Sequence, residues 1–284
     1  MVEAKTKKQI GNYILCCDEK LGEGAFGVVF RSYLKTDPSD LYAIKQVNIN
    51  VSEKELEFLK GLLEREVEVM QTLSHENIMK LIDISITANN IYLITELCNG
   101  GDLNGYKLDL TVDETLTCIK KIVKAMRYAN SLNVIHRDLK PANVLVHDGV
   151  IKLADFGFAR FVDNPNISDK MTCKKGSPLY MAPEVYFGKK YDAKCDVWSV
   201  GVMFYEMIFK KLPCYGSCAP DHFNNNFKVK PLKFPKDQKV DPLILDLITN
   251  MLQLKQKNRF DFKEVEDHEV FKRKIPDKLK RMKK

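Results

Sequence analysis

Several common devices are missing from this sequence. None of its eight cysteines forms a C-x-x-C pair, and Cys214 and Cys218, four residues apart, have no histidine pattern beside them. A thiolate zinc site is therefore not expected. No apolar run approaches the roughly 18 residues of a membrane span. The longest stretch, Val197 to Phe209, contains Glu206. The opening Met-Val-Glu-Ala-Lys-Thr-Lys-Lys has charge but no apolar core, so a secretory leader is not expected. Reduced thiols in the cytoplasm follow as the expectation. There is no internal repeat and no low-complexity segment. With 14 Gly and 11 Pro in 284 residues, collagen-like and disordered classes are excluded. Hydrophobic residues make up 45% and charged residues 29%, so the chain can bury a large core without a disulfide or metal.

Charge of one sign is also scarce, except at one end. The formal net charge is +7, and residues 271–284 hold eight Lys or Arg against one Asp, which is all of it. The rest of the chain is neutral. A neutral body is unlike a nucleic-acid-binding domain, whose cations sit on the fold itself, so no nucleic-acid partner is expected. The basic run is expected to be a solvated tail, with contact to RNA, an anionic membrane or an acidic partner as the other reading.

Up to residue 97 the chain reads as β-structure with one helix. Tyr13–Leu21, Val28–Leu34, Leu41–Val47, Ile78–Thr87 and Ile91–Glu96 are rich in β-branched and aromatic residues and are separated by Gly, Asp, Pro or Asn. Ser52 with Glu55 forms a capping-box signal. Leu56, Leu59, Leu63, Val67 and Met70 follow at helical spacing, with Gly61 as an interruption after which the helix is expected to start properly. Beyond Asn99-Gly100-Gly101 the pattern turns helical. Leu116, Ile119, Ile122, Val123 and Met126 mark one apolar face, Asp196–Phe209 is apolar nearly all round, and Asp241-Pro242 opens a further helix. Two short strands, Val144–Val146 and Val150–Leu153, flank His147-Asp148-Gly149. The expected organisation is a β-rich part over 1–97, a helical part over 98–272 and a basic tail over 273–284. A ligand held between two such parts is the common arrangement.

Three groups of residues carry chemistry. Gly22-Glu23-Gly24-Ala25-Phe26-Gly27 fits G-x-G-x-x-G but is followed by Val28-Val29-Phe30, which is strand rather than helix chemistry. It reads as a hairpin whose glycines permit positive φ and let N–H groups approach phosphate. Lys45 in Tyr42-Ala43-Ile44-Lys45 and Glu66 on the apolar helix face are both charges in buried settings, and pairing them satisfies both. His136-Arg137-Asp138-Leu139-Lys140-Pro141-Ala142-Asn143 must be a loop at Pro141. Together with Asp155-Phe156-Gly157, it supplies hard oxygen ligands suited to Mg²⁺, while a second carboxylate remains to orient a nucleophile. His136, beside Ile135, reads as a packed structural histidine.

In that order and at that spacing, with Ala182-Pro183-Glu184, Asp196-Val197-Trp198-Ser199-Val200-Gly201 and Arg259, the set resembles a eukaryotic-type serine/threonine protein kinase catalytic domain. The resemblance covers roughly Tyr13 to Phe271. It implies an α+β, bilobal kinase fold: a small β-rich N-lobe with one key helix and a larger, mainly helical C-lobe. It also implies ATP and Mg²⁺ as cofactors. By resemblance, Leu21, Gly22, Gly24 and Gly27 would cover the nucleotide. Lys45, oriented by Glu66, would hold the α- and β-phosphates. Asp155 and Asn143 would bind Mg²⁺. Asp138 would accept the proton of the substrate hydroxyl, and Lys140 would neutralise the γ-phosphate. Val29, Ala43 and Leu145 would sandwich adenine, Glu96 and Cys98 would present hinge backbone to it, and Thr95 would be the small gatekeeper. Lys140 and Gly176–Tyr180 resemble the serine/threonine branch, and Phe158 after Asp-Phe-Gly goes with Ser over Thr as acceptor. Asp102 would bind ribose or attract a substrate base.

Cys98–Leu103, Asp155–Arg160 and Gly176–Glu184 are most similar to the autophagy-initiating (unc-51-like) kinase group. The implied partner is a protein bearing a Ser or Thr acceptor. The 30 residues from Asp155 to Glu184 read as an activation segment. Thr172, or Ser168, would be phosphorylated there by an upstream kinase or by the chain itself, with Arg137 and Arg160 binding the phosphate. The competing readings are a catalytically silent, ATP-binding pseudokinase scaffold, a small-molecule kinase of related fold, and a binder driven by the basic tail.

Overall fold

A computed structural model describes residues 6–24, 27–162, 169–170 (backbone), 178–213, 232–235, 237–273, 275–277 and 279. The chain divides into two compact units, residues 1–74 with 79–99 and residues 75–78 with 100–284.

The first unit is an antiparallel sheet of six strands and one long helix. The strands are β1 (Lys7–Ile10), β2 (Tyr13–Gly24), β3 (Gly27–Leu34), β4 (Asp37–Asn48), β5 (Leu81–Ile86) and β6 (Asn90–Glu96), in the spatial order β1-β2-β3-β4-β6-β5. Alternation along β4 and β6 divides their side chains between two faces. Ile44, Tyr92 and Ile94 pack with Ile10, Tyr13 and Leu15, while Val47 and Leu93 pack with Leu63 of helix α1 (Glu53–Thr72). The sequence reading missed β1, because Lys-Lys-Gln-Ile carries no apolar alternation. Its strand character comes from tertiary contact: Ile10 opposes Tyr13 across a tight turn, and Lys8 Nζ donates to Tyr92 Oη at 2.8 Å. The strand expected over Ile78–Thr87 is shorter, since Ile78 instead bridges Leu153 in the second unit.

Helix α1 also departs from expectation. It runs unbroken through Gly61, whose carbonyl accepts from Arg65 Nε. The cost of an interior glycine is about 1 kcal/mol, and the buried stripe Leu63, Glu66, Val69 and Met70 outweighs it. The Glu55 carboxylate accepts from both the backbone N–H and the hydroxyl of Ser52, holding the first turn.

The second unit is built around α5 (Lys194–Phe209), in which every residue from Cys195 onward is buried. Before it come α2 (Leu103–Tyr106), α3 (Val112–Ser131), β7 (Val134–Ile135), the hairpin β8 (Val144–His147) and β9 (Val150–Leu153), β10 (Arg160–Phe161), β11 (Asp169–Lys170), α4 (Pro183–Tyr186) and β12 (Lys190–Tyr191). After it come α6 (Pro242–Met251) and α7 (Phe262–Glu266). The expected face of α3, Leu116 through Met126, is buried, and Thr111 with Glu114 caps the helix. Asp241 caps α6 ahead of Pro242, as the sequence suggested. No helix among the described residues is long and apolar enough to cross a membrane.

Among the described residues of 271–284, part of the basic run is seated on the fold. Leu279 is 2% exposed, its N–H donates to Gly149 O at 3.1 Å, and Pro276 O accepts from Thr117 Oγ1 at 2.8 Å. One leucine and one proline between lysines were enough to seat part of a basic run that charge alone would leave in water.

A fully buried guanidinium links two distant stretches of this unit. Arg259 Nη1 and Nη2 reach Glu184 Oε1 and Oε2 at 2.6 and 3.1 Å, Nη1 also donates to Lys194 O, and the group lies 5.0 Å over the Trp198 ring. Removing one member of such a pair leaves an uncompensated buried charge. Arg259→Ala should therefore lower unfolding stability by about 3–5 kcal/mol. The double change Arg259→Met, Glu184→Leu should cost clearly less, as read by urea denaturation.

Candidate active site

In the first unit the glycine-rich hairpin joins β2 to β3, with Gly22 opposite Val29 and Gly24 opposite Gly27. The conformational reason given above for these glycines does not hold, because none of the three is among the residues with positive φ. Their roles differ. A Cβ on Gly27 would stand 2.3 Å from Gln46 O of β4, so Gly27 is required for close strand approach. A Cβ on Gly22 or Gly24 would meet nothing within 4 Å, so their backbone is open to a ligand. Ala25 and Phe26 lie outside the described residues.

Lys45 lies in β4 opposite Val29 on one side and Leu93 on the other. Its Nζ reaches both carboxylate oxygens of Glu66, at 2.7 and 2.9 Å. The Glu66 side chain is 6% exposed and that of Lys45 is 18% exposed, so the ammonium keeps the more open side of the pair. Of the other nucleotide candidates here, Leu21 is exposed, Val29 is half-buried, and Ala43 is buried opposite Thr95. Thr95 Oγ1 is 3.5 Å from Ala43 O. Glu96 accepts on its carboxylate from the Lys80 N–H at 2.7 Å and donates from its own N–H to Lys80 O at 3.2 Å. Cys98 is half-buried and is not in a disulfide.

In the second unit the loop after β7 is held from below by one carboxylate. Asp196, in the first turn of α5, accepts from His136 N at 2.7 Å and Arg137 N at 2.8 Å. Burial pushes its carboxyl above the ordinary range, and the charges and N–H groups of His136 and Arg137 pull it back. His136 is fully buried. Its Nδ1 faces the Asp138 N–H at 3.4 Å, so Nε2 carries the proton toward Ala154 O at 3.2 Å. With the ring 4.8 Å from that of Phe156, both nitrogens are used structurally.

Asp138, Lys140 and Asn143 converge. Asp138 Oδ2 accepts from Lys140 Nζ at 2.7 Å and Asn143 Nδ2 at 3.1 Å, and Asn143 Nδ2 also donates to Asp138 O at 2.9 Å. Ala154 N donates to Asn143 O at 2.9 Å, which brings the residue before Asp155 back to the same loop. Asp155 is half-buried and adopts φ 59°. That conformation is costly for a residue with a Cβ and is maintained only by its surroundings. Leu145 is half-buried in β8 and bridges Asp102. Asp102 caps α2 by accepting from Gly105 N at 3.1 Å, a local role the sequence reading did not foresee.

Three further features were not singled out from sequence. Glu206 in α5 accepts from Tyr180 Oη at 2.6 Å and pairs with Lys107 at 2.7 Å. Burial, then the bond to Glu206, pushes the Tyr180 phenol well above its usual range. Arg137 adopts φ 71° and donates from Nε to Phe158 O at 2.6 Å. Only a fold-level view shows these, since each partner is more than 20 residues away. Ser168 and Thr172, on which the expected phosphorylation switch depends, and Gly176 and Ser177 of the serine/threonine-type segment lie outside the described residues.

The family model for the protein kinase domain matches residues 16–271. The chain belongs to the protein kinase domain family. Its α+β fold is that of a kinase domain, as the motifs implied. Similar proteins include serine/threonine-protein kinase atg1 of Dictyostelium discoideum, 34% identical over 92% of this chain, serine/threonine-protein kinase ULK1 of Homo sapiens, 35% over 91%, and serine/threonine-protein kinase unc-51 of Caenorhabditis elegans, 36% over 87%. The resemblance to the autophagy-initiating group is thus borne out. The chain spans 39%, 25% and 30% of the length of these relatives.

The two kinds of glycine in the kinase hairpin can be told apart by stability. Gly27→Ala should cost about 1–3 kcal/mol through overpacking against Gln46. Gly24→Ala should stay within about 0.5 kcal/mol. Equal losses in chemical denaturation would refute the assignment.

Proposed function

We propose that this kinase domain transfers the γ-phosphate of ATP to serine or threonine side chains of proteins, serine preferred, in signalling linked to autophagy. The observation that carries the proposal is the convergence of Lys140 Nζ and Asn143 Nδ2 on one oxygen of Asp138. Such a carboxylate is held in one orientation, from which it would meet a substrate hydroxyl.

The donor set fits Mg²⁺. Among the described residues no three His, Cys, Asp or Glu side chains form a metal cluster, so a self-contained protein cage is lacking. Asp155 and Asn143 offer one carboxylate and one amide oxygen, and Mg²⁺ is usually held by one or two carboxylates together with substrate phosphates. When bound, Mg²⁺ would neutralise phosphate charge. The Asn143 amide nitrogen is committed to Asp138, so Oδ1 is the atom it would offer to the cation. Asp138 would orient the acceptor hydroxyl and take its proton. Lys140, now on Asp138, would shift toward the γ-phosphate. Lys45 would hold the α- and β-phosphates from its pairing with Glu66, while the open backbone at Gly22 and Gly24 would cover them, and Leu21, Val29, Ala43 and Leu145 would pack adenine. This division suits phosphoryl transfer, where positioning and charge neutralisation do most of the work. The serine preference rests on Phe158 and the autophagy link on the resemblance. A cytoplasmic setting accords with the reduced state of Cys16, Cys17, Cys98, Cys118 and Cys195, which form no disulfide among the described residues.

The test is phosphate transfer from Mg·ATP to a degenerate Ser/Thr/Tyr peptide library. The expected result is transfer to Ser above Thr, with Tyr unmodified. Asp138→Asn should retain nucleotide binding and lose about 10²–10⁴-fold in kcat, and Lys45→Met should abolish transfer. Nucleotide binding without transfer in the unaltered protein would favour the silent scaffold instead.

A further inference from the structure

Leu279 is buried although it stands in the most basic stretch of the chain, and its docking place is specific. The β8–β9 turn has both central residues at positive φ, Asp148 at 48° and Gly149 at 77°, as a two-residue hairpin turn of this hand requires. Leu279 N donates to Gly149 O, and a Cβ on Gly149 would stand 2.7 Å from Leu279 O. The turn and Leu279 therefore touch backbone to backbone, and only glycine leaves room. Two side chains of α3 hold the approach to this point: Thr117 Oγ1 bonds Pro276 O, and Lys120 Nζ bonds Phe271 O at 3.0 Å.

The hairpin so gripped is the one that carries the proposed Mg²⁺ pair. Asn143 immediately precedes β8, and Asp155 lies two residues past β9. Its ladder has four pairs, from His147↔Val150 at the turn to Val144↔Leu153 at the open end. The sides are supported as well. Val146 exchanges bonds with Gly100 and Gly101, Leu153 N donates to Asn77 O, and Asn77 Nδ2 donates to Ile151 O. Among the described residues, the turn end gains its outside support from Leu279.

We propose that Pro276 and Leu279 form a strap that rigidifies the β8–β9 hairpin and thereby positions Asn143 and Asp155 for Mg²⁺, with Leu279 as the positioning residue. The positioning half rests on the kinase reading above; the docking half does not. A short hairpin is marginal by itself, so releasing one end of this one loosens the spacing at the other.

The experiment compares the unaltered chain with Leu279→Asp, Leu279→Ala and Leu279→Met. Hydrogen exchange of residues 144–153 is followed, with the buried α3 amides as the folding control, together with binding of a fluorescent ATP analogue across Mg²⁺ concentrations. Leu279→Asp is expected to raise hairpin exchange by about tenfold or more, with α3 unchanged, and to raise the Mg²⁺ concentration for half-maximal binding several-fold. Leu279→Met should restore both. Leu279→Ala is the milder change should the aspartate disturb α3. An unprotected Leu279 amide in the unaltered chain, or hairpin exchange indifferent to Leu279, overturns the strap. A loosened hairpin with an unchanged Mg²⁺ requirement overturns the positioning role. Failure of the unaltered chain to bind nucleotide at any Mg²⁺ concentration would sink the positioning role and the kinase reading together, while the exchange data still decide the docking.

Discussion

The Asp196 carboxylate is the constraint on which the candidate active site depends. It is buried inside the second unit, at the start of a helix that is itself buried, and spends both oxygens on consecutive backbone N–H groups, those of His136 and Arg137. Arg137 is thereby held at positive φ, where an isolated arginine would not remain, and the chain direction into Asp138 is set. The helix N-terminus favours the charge, which helps offset the desolvation that raises the carboxyl pKa. Loss of that one anion would free two N–H groups in the interior and leave the loop without its template.

Other buried charges follow the same rule. Lys45 with Glu66, Arg259 with Glu184, and Lys107 with Glu206 and Tyr180 each join segments more than 20 residues apart. Such pairs contribute little net stability compared with apolar replacements, but they penalise every arrangement that separates the partners. In this chain they act as registration points. α1 is fixed against β4, the segment at Glu184 against the loop before α7, and α5 against the segment at Tyr180.

The same constraints explain why polar residues that look alike in sequence have different duties. Asp102 caps a helix turn, Asp138 is held by an ammonium and an amide, Asp155 adopts a left-handed conformation, and Asp196 is a buried template. Each environment determines how the carboxylate is used within the fold. Lys140 and Asn143 restrain Asp138 before any ligand arrives, which is the preorganisation that phosphoryl transfer rewards.

The motifs were legible in the sequence because they depend on local spacing. The catalytic-loop and Asp-Phe-Gly residues, the capping boxes at Ser52 and Thr111, the apolar period of α3 and the all-apolar α5 could be read from neighbours within a few residues. The apolar setting of Lys45 and Glu66 also showed, since a charge in an apolar period needs a partner. The rest was decided by tertiary contact. Strand β1 has no pattern of its own and exists through its pairing with β2. Helix α1 passes through Gly61 because its buried stripe outweighs one glycine. Gly27 is required by the Gln46 carbonyl rather than by its own dihedral angles. Leu279 is drawn out of a lysine run by a turn 130 residues earlier. Sequence patterns record which residues prefer water or a given backbone shape, whereas which distant backbone they meet depends on the close packing of the completed fold.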